Sequence, residues 1–191
     1  MALAKSSWTA ERGFSILEVL MATTVLTVGV AALAQLFAIS TRANFSAKIT
    51  TAASILAQQK MEQLRGLTWG FDTLGLPLSD YSTNTAVVPE TPADGKGLTP
   101  SPADSLKRNE DGYCDFLDRF GNSLGGGEVA PAGTAYVRRW SIEPLPSNPN
   151  NTLILQVLVA QPKDRGDDQT TDTRRLPDEA RIISVKTRKA Q

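Results

Sequence analysis

The amino-acid sequence predicts an α+β fold, in which one long N-terminal helix packs against a small antiparallel β-sheet. No proline precedes Pro77, and apolar residues recur three or four positions apart through residues 49–64, as on one face of a helix. Toward the C-terminus, three short apolar or alternating segments are separated by turn-forming or polar stretches, which is typical of antiparallel strands. A helix with a single apolar stripe needs a partner surface, and the sheet supplies one.

Composition excludes several classes of function. Among the 191 residues, 20 acidic and 20 basic side chains balance, so bulk charge does not favour a nucleic acid as partner. Histidine is absent, and with it the commonest neutral-pH general base and metal ligand. The single cysteine, Cys114, has no second cysteine for an intrachain disulfide and no histidine to activate its thiol. We therefore expect a protein that is not an enzyme and that carries no cofactor or metal.

The first element is an apolar segment that is long enough to cross a membrane. Residues 19–39 contain no charged side chain, and a helix needs about 20 apolar residues to span a bilayer. Lys5 and Arg12 precede the segment, which predicts that the N-terminus stays in the cytoplasm and the C-terminal part crosses.

Three interpretations of this segment compete. Ala32-Leu33-Ala34 resembles the cleavage site of a secretory signal peptide, although the apolar run is longer than usual and begins next to Glu18. A plain membrane anchor gives no reason for Glu18, because an ionised side chain costs about 2.5–3.5 kcal/mol at the centre of a membrane helix and still has a cost near its end. The third interpretation assigns the glutamate a role.

The stretch Gly13-Phe14-Ser15-Ile16-Leu17-Glu18 resembles the cleavage and methylation site of type IV prepilins. The resemblance implies that a membrane peptidase cuts between Gly13 and Phe14 and methylates the new amine of Phe14. It also places Glu18 at the fifth position of the mature chain, where that family has a glutamate. A short charged leader before the glycine, the aromatic residue after it and the apolar helix that follows complete the pattern.

Electrostatics gives this pattern a physical role, which the resemblance implies and spacing alone does not show. Cleavage creates a positive amine on Phe14, and in a bundle of assembling helices that amine can face Glu18 of a neighbouring subunit. Coulomb attraction is large in a medium of low dielectric constant. Breaking a buried pair costs about 3–5 kcal/mol, because one charge is left stranded. Glu18 is therefore expected to act as an assembly residue.

Residues 40–65 continue the helix in amphipathic form. The stripe contains Ile49, Ala53, Leu56, Ala57, Met61 and Leu64, and Gly66 is the expected stop. A helix over residues 14–65 is about 80 Å long, and an apolar half followed by an amphipathic half resembles the pilin architecture. The expected organisation is a cleaved cytoplasmic leader (1–13), a transmembrane and assembly half (14–39), an amphipathic half (40–66) and a globular domain with long loops (67–191).

The globular domain begins with polar sequence rich in glycine and proline. We expect an extended loop over 87–105, and a few apolar anchors followed by a flexible glycine run over 112–127. Strands are predicted at Thr134–Glu143, Thr152–Ala160 and Ala180–Thr187, with a turn over 144–151 and a polar excursion over 163–179. The second strand is apolar on both faces and should be central. Trp140 and Met61 should lie in or near the contact between helix and sheet.

The C-terminal half resembles a particular pilin group. The segments "YCDFLDRFGNSLGGG", "AYVRRWSIEPLP" and "RIISVKT" look like PilV-type minor pilins, which are similar in plan to the I-type pseudopilins of type II secretion. The absence of a proline in the membrane half also favours a minor pilin or pseudopilin over a major pilin.

This resemblance implies a minor type IV pilin that primes assembly or lies near the tip of the pilus. Its implied partners are the prepilin peptidase and methylase, other major and minor pilins, the inner-membrane assembly platform and the lipid bilayer. The implied location is a single pass through the inner membrane with a periplasmic domain, and then the pilus. A type II secretion pseudopilin and a DNA-uptake or adhesive pilin are the alternatives, and nucleic acid is the less favoured partner.

Four other groups of residues are expected to have ordinary structural roles. Asp111, Asp115 and Asp118 lack the spacing of an EF-hand calcium loop, so we expect a solvated acidic turn. The same expectation applies to Asp164, Asp167 and Asp168. Arg138 and Arg139 could contact phosphate or DNA, but we expect them to flank a strand or to pair with these acidic residues in surface ion pairs, which contribute about 0–1 kcal/mol. Tyr136 and Trp140 are expected in the core rather than on an adhesive surface.

Overall fold

The computed structural model describes residues 13–162 and 179–188 and confirms the α+β fold. Within these residues one long helix, α1, is followed by nine strands, and antiparallel pairing joins five of them in the order β6-β5-β7-β8-β9. The strand pairs β1–β2 and β3–β4 form two small separate sheets. The bounds are α1 Ile16–Gly66, β1 Trp69–Phe71, β2 Pro77–Ser79, β3 Thr83–Asn84, β4 Thr91–Asp94, β5 Cys114–Leu117, β6 Ser123–Gly126, β7 Tyr136–Pro144, β8 Thr152–Ala160 and β9 Glu179–Thr187.

The chain divides into two compact units, Met1–Phe45 and Ser46–Gln191. In the first unit, Ser15 precedes α1, and its side-chain oxygen accepts a hydrogen bond from the Leu17 backbone N–H at 3.3 Å, as an N-cap does. The threonine hydroxyls farther along donate to carbonyls of the preceding turn, for instance Thr24 to Leu20 at 2.8 Å. These bonds satisfy polar side chains within the helix itself, which is the arrangement that a lipid environment requires.

In the second unit, the rear part of α1 supplies one layer of the hydrophobic core. Every residue of the predicted stripe is buried: Ile49, Ala53, Leu56, Ala57, Met61 and Leu64. The sheet contributes the facing layer, which includes Trp140, Ile142, Leu153, Leu155, Val157 and Val159 in the same cluster. The predicted contact of helix and sheet around Met61 and Trp140 is thus confirmed.

The three predicted strands are confirmed to within two residues at each end. β7 and β8 form a long hairpin with Val137 opposite Ala160 and Pro144 opposite Leu153, and β8 lies inside the sheet as expected. In β9, Ser184 and Lys186 share a face with Leu155 and Leu153 of β8, and this face is the one that meets the helix.

Lys186 faces α1 because its side chain forms hydrogen bonds at the end of that helix. Its ammonium group donates to the carbonyl of Arg65 and, at 2.7 Å, to that of Leu67, so it satisfies backbone acceptors where α1 ends. As a consequence, the apolar side chains of Ile183 and Val185 point to the other face, where they are 60% and 59% exposed.

The expected glycine run at the end of 112–127 is partly a strand, because Gly125 and Gly126 belong to β6. β5 pairs with β7 and β6 pairs with β5, so this stretch extends the main sheet. Gly126 is required inside β6 because a Cβ there would lie 2.6 Å from the Ala86 Cβ and 2.8 Å from the Cys114 carbonyl oxygen. The expected loop over 87–105 likewise contains β4, which pairs with β3.

Candidate functional site

The structure describes the predicted processing residues at the start of α1. Gly13 and Phe14 precede the helix, Phe14 is 82% exposed, and Glu18 lies in the first turn with an exposed side chain. Among the described residues, no ion pair involves Glu18. Lys5 and Arg12, which belong to the expected leader, lie outside the described part of the chain. A carboxylate placed here therefore has no partner within the chain as described, and it is accessible to a group from another molecule.

The first half of α1 has the properties of a membrane span. Within residues 13–162 and 179–188, α1 is the one helix that is long and apolar enough to cross a bilayer, and its apolar window has no part buried against the protein. Large apolar side chains such as Val25, Leu36 and Phe37 are exposed. A surface of this kind is compatible with a single-pass membrane anchor.

A cluster of three charged side chains lies inside the second unit, and we call it the buried charge cluster: Lys60 of α1, Asp115 of β5 and Arg138 of β7. The guanidinium of Arg138 donates two hydrogen bonds to Asp115, from Nε to Oδ1 at 2.9 Å and from Nη2 to Oδ2 at 2.7 Å. The Nζ of Lys60 lies 2.9 Å from the same Oδ2. All three are buried, Lys60 and Asp115 completely.

The cluster connects the helix to the sheet through hydrogen-bond donors that lie in both layers. From the sheet, Arg138 donates through Nη1 to the backbone carbonyl of Leu56 in α1 at 3.0 Å. From the helix, Lys60 donates to the Thr85 carbonyl and lies 4.2 Å from the ring centroid of Trp140, within range of a cation–π interaction. Each long side chain thus bonds to the opposite layer.

Two cations share one carboxylate in this cluster. Burial lowers the pKa of Lys60 from 10.5 to about 8, because desolvation disfavours the ammonium form and Arg138 repels it, while the attraction of Asp115 works in the opposite direction. With Lys60 protonated, the cluster contains two cations and one carboxylate.

The structure corrects two expectations about these residues. Asp115 is not part of a solvated acidic turn, because it is fully buried against Lys60 and Arg138. Arg138 is not a surface residue, and its pair with Asp115 is internal. The expectation of a solvated turn holds for the exposed Asp111 and for Asp118, whose Oδ1 accepts hydrogen bonds from the backbone N–H groups of Phe120 and Asn122.

The acidic residues that were considered for calcium do not converge. Each of the three takes a different environment, and no metal-binding group of histidine, cysteine or acidic side chains occurs among the described residues. Asp164, Asp167 and Asp168 lie outside the described residues. Tyr136 and Trp140 are core residues as expected. Cys114 is buried too, and burial raises the pKa of its thiol to about 12.

Beside the buried charge cluster lies a pocket of about 520 Å³. Arg138 and Leu117 contribute to its wall from the sheet. The other lining residues are mostly polar and come from α1, the β3–β4 connection and the β5–β6 turn: Gln59, Gln63, Val88, Glu90, Gly121, Asn122 and Ser123.

Sequence reasoning predicted that Arg138 pairs with acidic residues, but it missed Lys60 and the burial of the pair, although a signal was present. Lys60 lies four residues after Leu56 and four before Leu64, so a lysine occupies the apolar stripe. Asp115 similarly interrupts the apolar run from Tyr113 to Leu117. A charge on each of two apolar surfaces that must face each other indicates a buried pair.

Replacing Lys60 by methionine is expected to change how stability depends on pH. Lys60 faces Asp115, Arg138 and the more distant Glu90, and in the folded protein it loses its proton near pH 8 instead of 10.5. Between these values the unfolded chain binds more protons at this residue, so Lys60 should contribute an increase of about 2 kcal/mol to the free energy of unfolding from pH 8 to 10. Denaturant titrations of the full chain in detergent should show that Lys60→Met lacks this rise.

Lys48→Met is the matched control, because it removes an exposed lysine from the same helix. It should keep the pH dependence of the wild type. An equal slope in wild type and Lys60→Met would show that Lys60 does not titrate in this range.

No family model, no curated protein and no solved structure matches this chain.

Proposed function

We propose that this protein is a minor type IV pilin, a structural subunit that is processed at Gly13–Phe14 and incorporated in the pilus to prime assembly or near its tip. The observation that carries the proposal is Glu18, five residues after Gly13, in the first turn of a 51-residue helix whose apolar front half is uncovered. A carboxylate on an otherwise apolar surface is unfavourable by itself, and a positive group of a second subunit would neutralise it there.

The fold supports this proposal. A subunit of a helical fibre needs a stem that can leave the bilayer and pack with other stems, and a globular domain that remains attached to it. α1 is continuous from Ile16 to Gly66, and its last part is held to the sheet by the core and by the buried charge cluster. Under this proposal the partners are the prepilin peptidase and methylase, other pilins, the inner-membrane assembly platform and the bilayer.

A pseudopilin of type II secretion is the second candidate. The uninterrupted α1, which contains no proline, favours a minor pilin and a pseudopilin equally. Neighbouring genes for pilus assembly or for secretion would discriminate the two. DNA uptake has less support, because Arg138 is buried and is therefore not available on the surface to contact phosphate.

Processing tests the proposal directly. When the full chain is produced together with a prepilin peptidase, mass spectrometry should find a mature chain that begins at N-methylated Phe14. Gly13→Val should block cleavage, because the peptidase must accommodate a side chain next to the scissile bond. A Cβ at Gly13 meets nothing within 4 Å in the protein, so the substitution should not disturb folding.

Ala34→Val is the control for the signal-peptide interpretation. It alters the site after which that interpretation places cleavage, and under our proposal it leaves processing unchanged. A mature chain that begins at Gln35, or an uncut leader in the presence of active peptidase, would contradict the proposed function.

A further inference from the structure

The buried charge cluster contains two cations and one carboxylate, and Glu90 offsets the surplus positive charge without forming an ion pair with it. Within the described residues, Asp115 is the one acidic side chain in ion-pair contact with Lys60 or Arg138. An uncompensated buried cation is costly, and a nearby anion lowers that cost. The cluster should therefore attract a negative group wherever the structure leaves space beside it.

The pocket beside Arg138 offers such a space. A guanidinium has five N–H donors, and Arg138 uses three of them on Asp115 and the Leu56 carbonyl, which leaves two. The pocket lining adds the side-chain amides of Gln59 and Gln63 and the hydroxyl of Ser123, all of which can donate hydrogen bonds. Positive charge together with several neutral donors is the donor set that binds a carboxylate.

Glu90 is the one acidic residue in the lining, and its carboxylate would repel a bound anion. Its side chain is exposed, and no ion pair joins it to the cluster in the described structure. Its carboxylate reduces the positive potential of the pocket, so a ligand should bind with modest affinity. Modest affinity at each contact is sufficient in a fibre, where many contacts act together.

We propose that this pocket receives an aspartate or glutamate side chain from a neighbouring pilin-like subunit. A volume of about 520 Å³ accommodates an acidic side chain with part of its backbone. The identity of the partner rests on the proposed function, whereas binding of a carboxylate rests on the pocket and the cluster alone.

The binding step can be tested on the full chain in detergent micelles. The probe is N-acetyl-glutamate N-methylamide, and its isosteric neutral control is N-acetyl-glutamine N-methylamide. Titration followed by NMR of the arginine Nε–H signals should give a dissociation constant of about 1–10 mM for the glutamate probe. The glutamine analogue should bind at least about tenfold more weakly, because it lacks the charge.

Three variants distinguish an effect of the buried charge cluster on binding from an effect of the overall charge of the protein. Lys60→Met removes the surplus charge while leaving the Arg138–Asp115 pair, and it should weaken binding about tenfold. Lys48→Met changes the net charge equally at an exposed position and should have no effect. Glu90→Gln should strengthen binding several-fold. Equal binding of the two probes, or equal effects of Lys60→Met and Lys48→Met, would overturn the proposal.

The source of the carboxylate is tested in assembled fibres. A photo-crosslinking amino acid at Gln63, in the pocket lining, should attach to a peptide of a neighbouring subunit that contains an aspartate or glutamate near the adduct. An adduct peptide without an acidic residue would overturn the assignment of the partner. If the chain is processed and enters fibres but the glutamate probe does not bind, the pocket proposal alone fails. If the probe binds but Gly13 is never cleaved, the proposed function fails, and with it the pilin partner.

Discussion

Replacing Glu18 by glutamine is expected to leave membrane insertion and cleavage unchanged and to remove the protein from assembled fibres. Glutamine keeps the size of the side chain but cannot neutralise the amine of Phe14 on an adjacent subunit. That amine would then be buried without a counter-charge, which is strongly unfavourable. We expect at least a tenfold loss of the protein from sheared fibres relative to the membrane fraction, measured by quantitative immunoblotting.

The structure makes this experiment easy to interpret. Glu18 is exposed and forms no ion pair among the described residues, so its replacement should not disturb the fold. Glu62→Gln is the matched control on the same helix, because Glu62 is exposed and its only ion pair in the described structure is a surface contact with Arg65 at 3.4 Å. Incorporation of Glu18→Gln at the wild-type level would refute the role proposed for Glu18.

Replacing Asp115 by asparagine is expected to lower the free energy of unfolding by about 3–5 kcal/mol, because the change leaves two buried cations without their shared carboxylate. Lys60 and Arg138 would then repel each other across the contact between helix and sheet. Urea denaturation of the full chain in detergent, followed by tryptophan fluorescence, measures the change. Trp140 reports directly, since Lys60 lies over its ring.

The double variant Lys60→Met/Asp115→Asn isolates the electrostatic cause. With Lys60 gone, one cation instead of two remains, so part of the lost stability should return. Asp111→Asn alters an exposed neighbour and should change stability by less than about 0.5 kcal/mol. If Asp115→Asn were as stable as wild type, or if removal of Lys60 made it less stable, Asp115 would not stabilise the cluster by neutralising its cations.

Local patterns account for the parts of the fold that were predicted. The six stripe residues of α1 follow a three-to-four-residue spacing, and all are buried. β7 and β8 have nine residues each, so the alternating pattern of β7 and the continuous apolar run of β8 are long enough to recognise. β5 and β6 have four residues each, too few for a period to emerge; β5 forms because it pairs with the edge of β7, and β6 forms because it pairs with β5.

The same limit explains the buried charge cluster. Lys60, Asp115 and Arg138 are far apart in the chain, and each residue by itself is typical of a protein surface. The register of β5 and β7 places Asp115 opposite Arg138, and the packing of α1 on these strands brings Lys60 to the same carboxylate. A contact between distant residues also decides which face of β9 meets the helix, because Lys186 donates hydrogen bonds to the carbonyls at the end of α1.

The amino-acid order alone determined the prepilin-like motif around Gly13 and Glu18, the length of α1 and its buried stripe. Each of these features depends on residues a few positions apart in the chain, so the spacing of residues in the sequence is sufficient to predict it. Tertiary structure alone decided which charges are buried, which share a partner and where a pocket forms beside them. Those outcomes depend on distances between residues far apart in the chain, and these distances are set only when the helix and the sheet close on a common core.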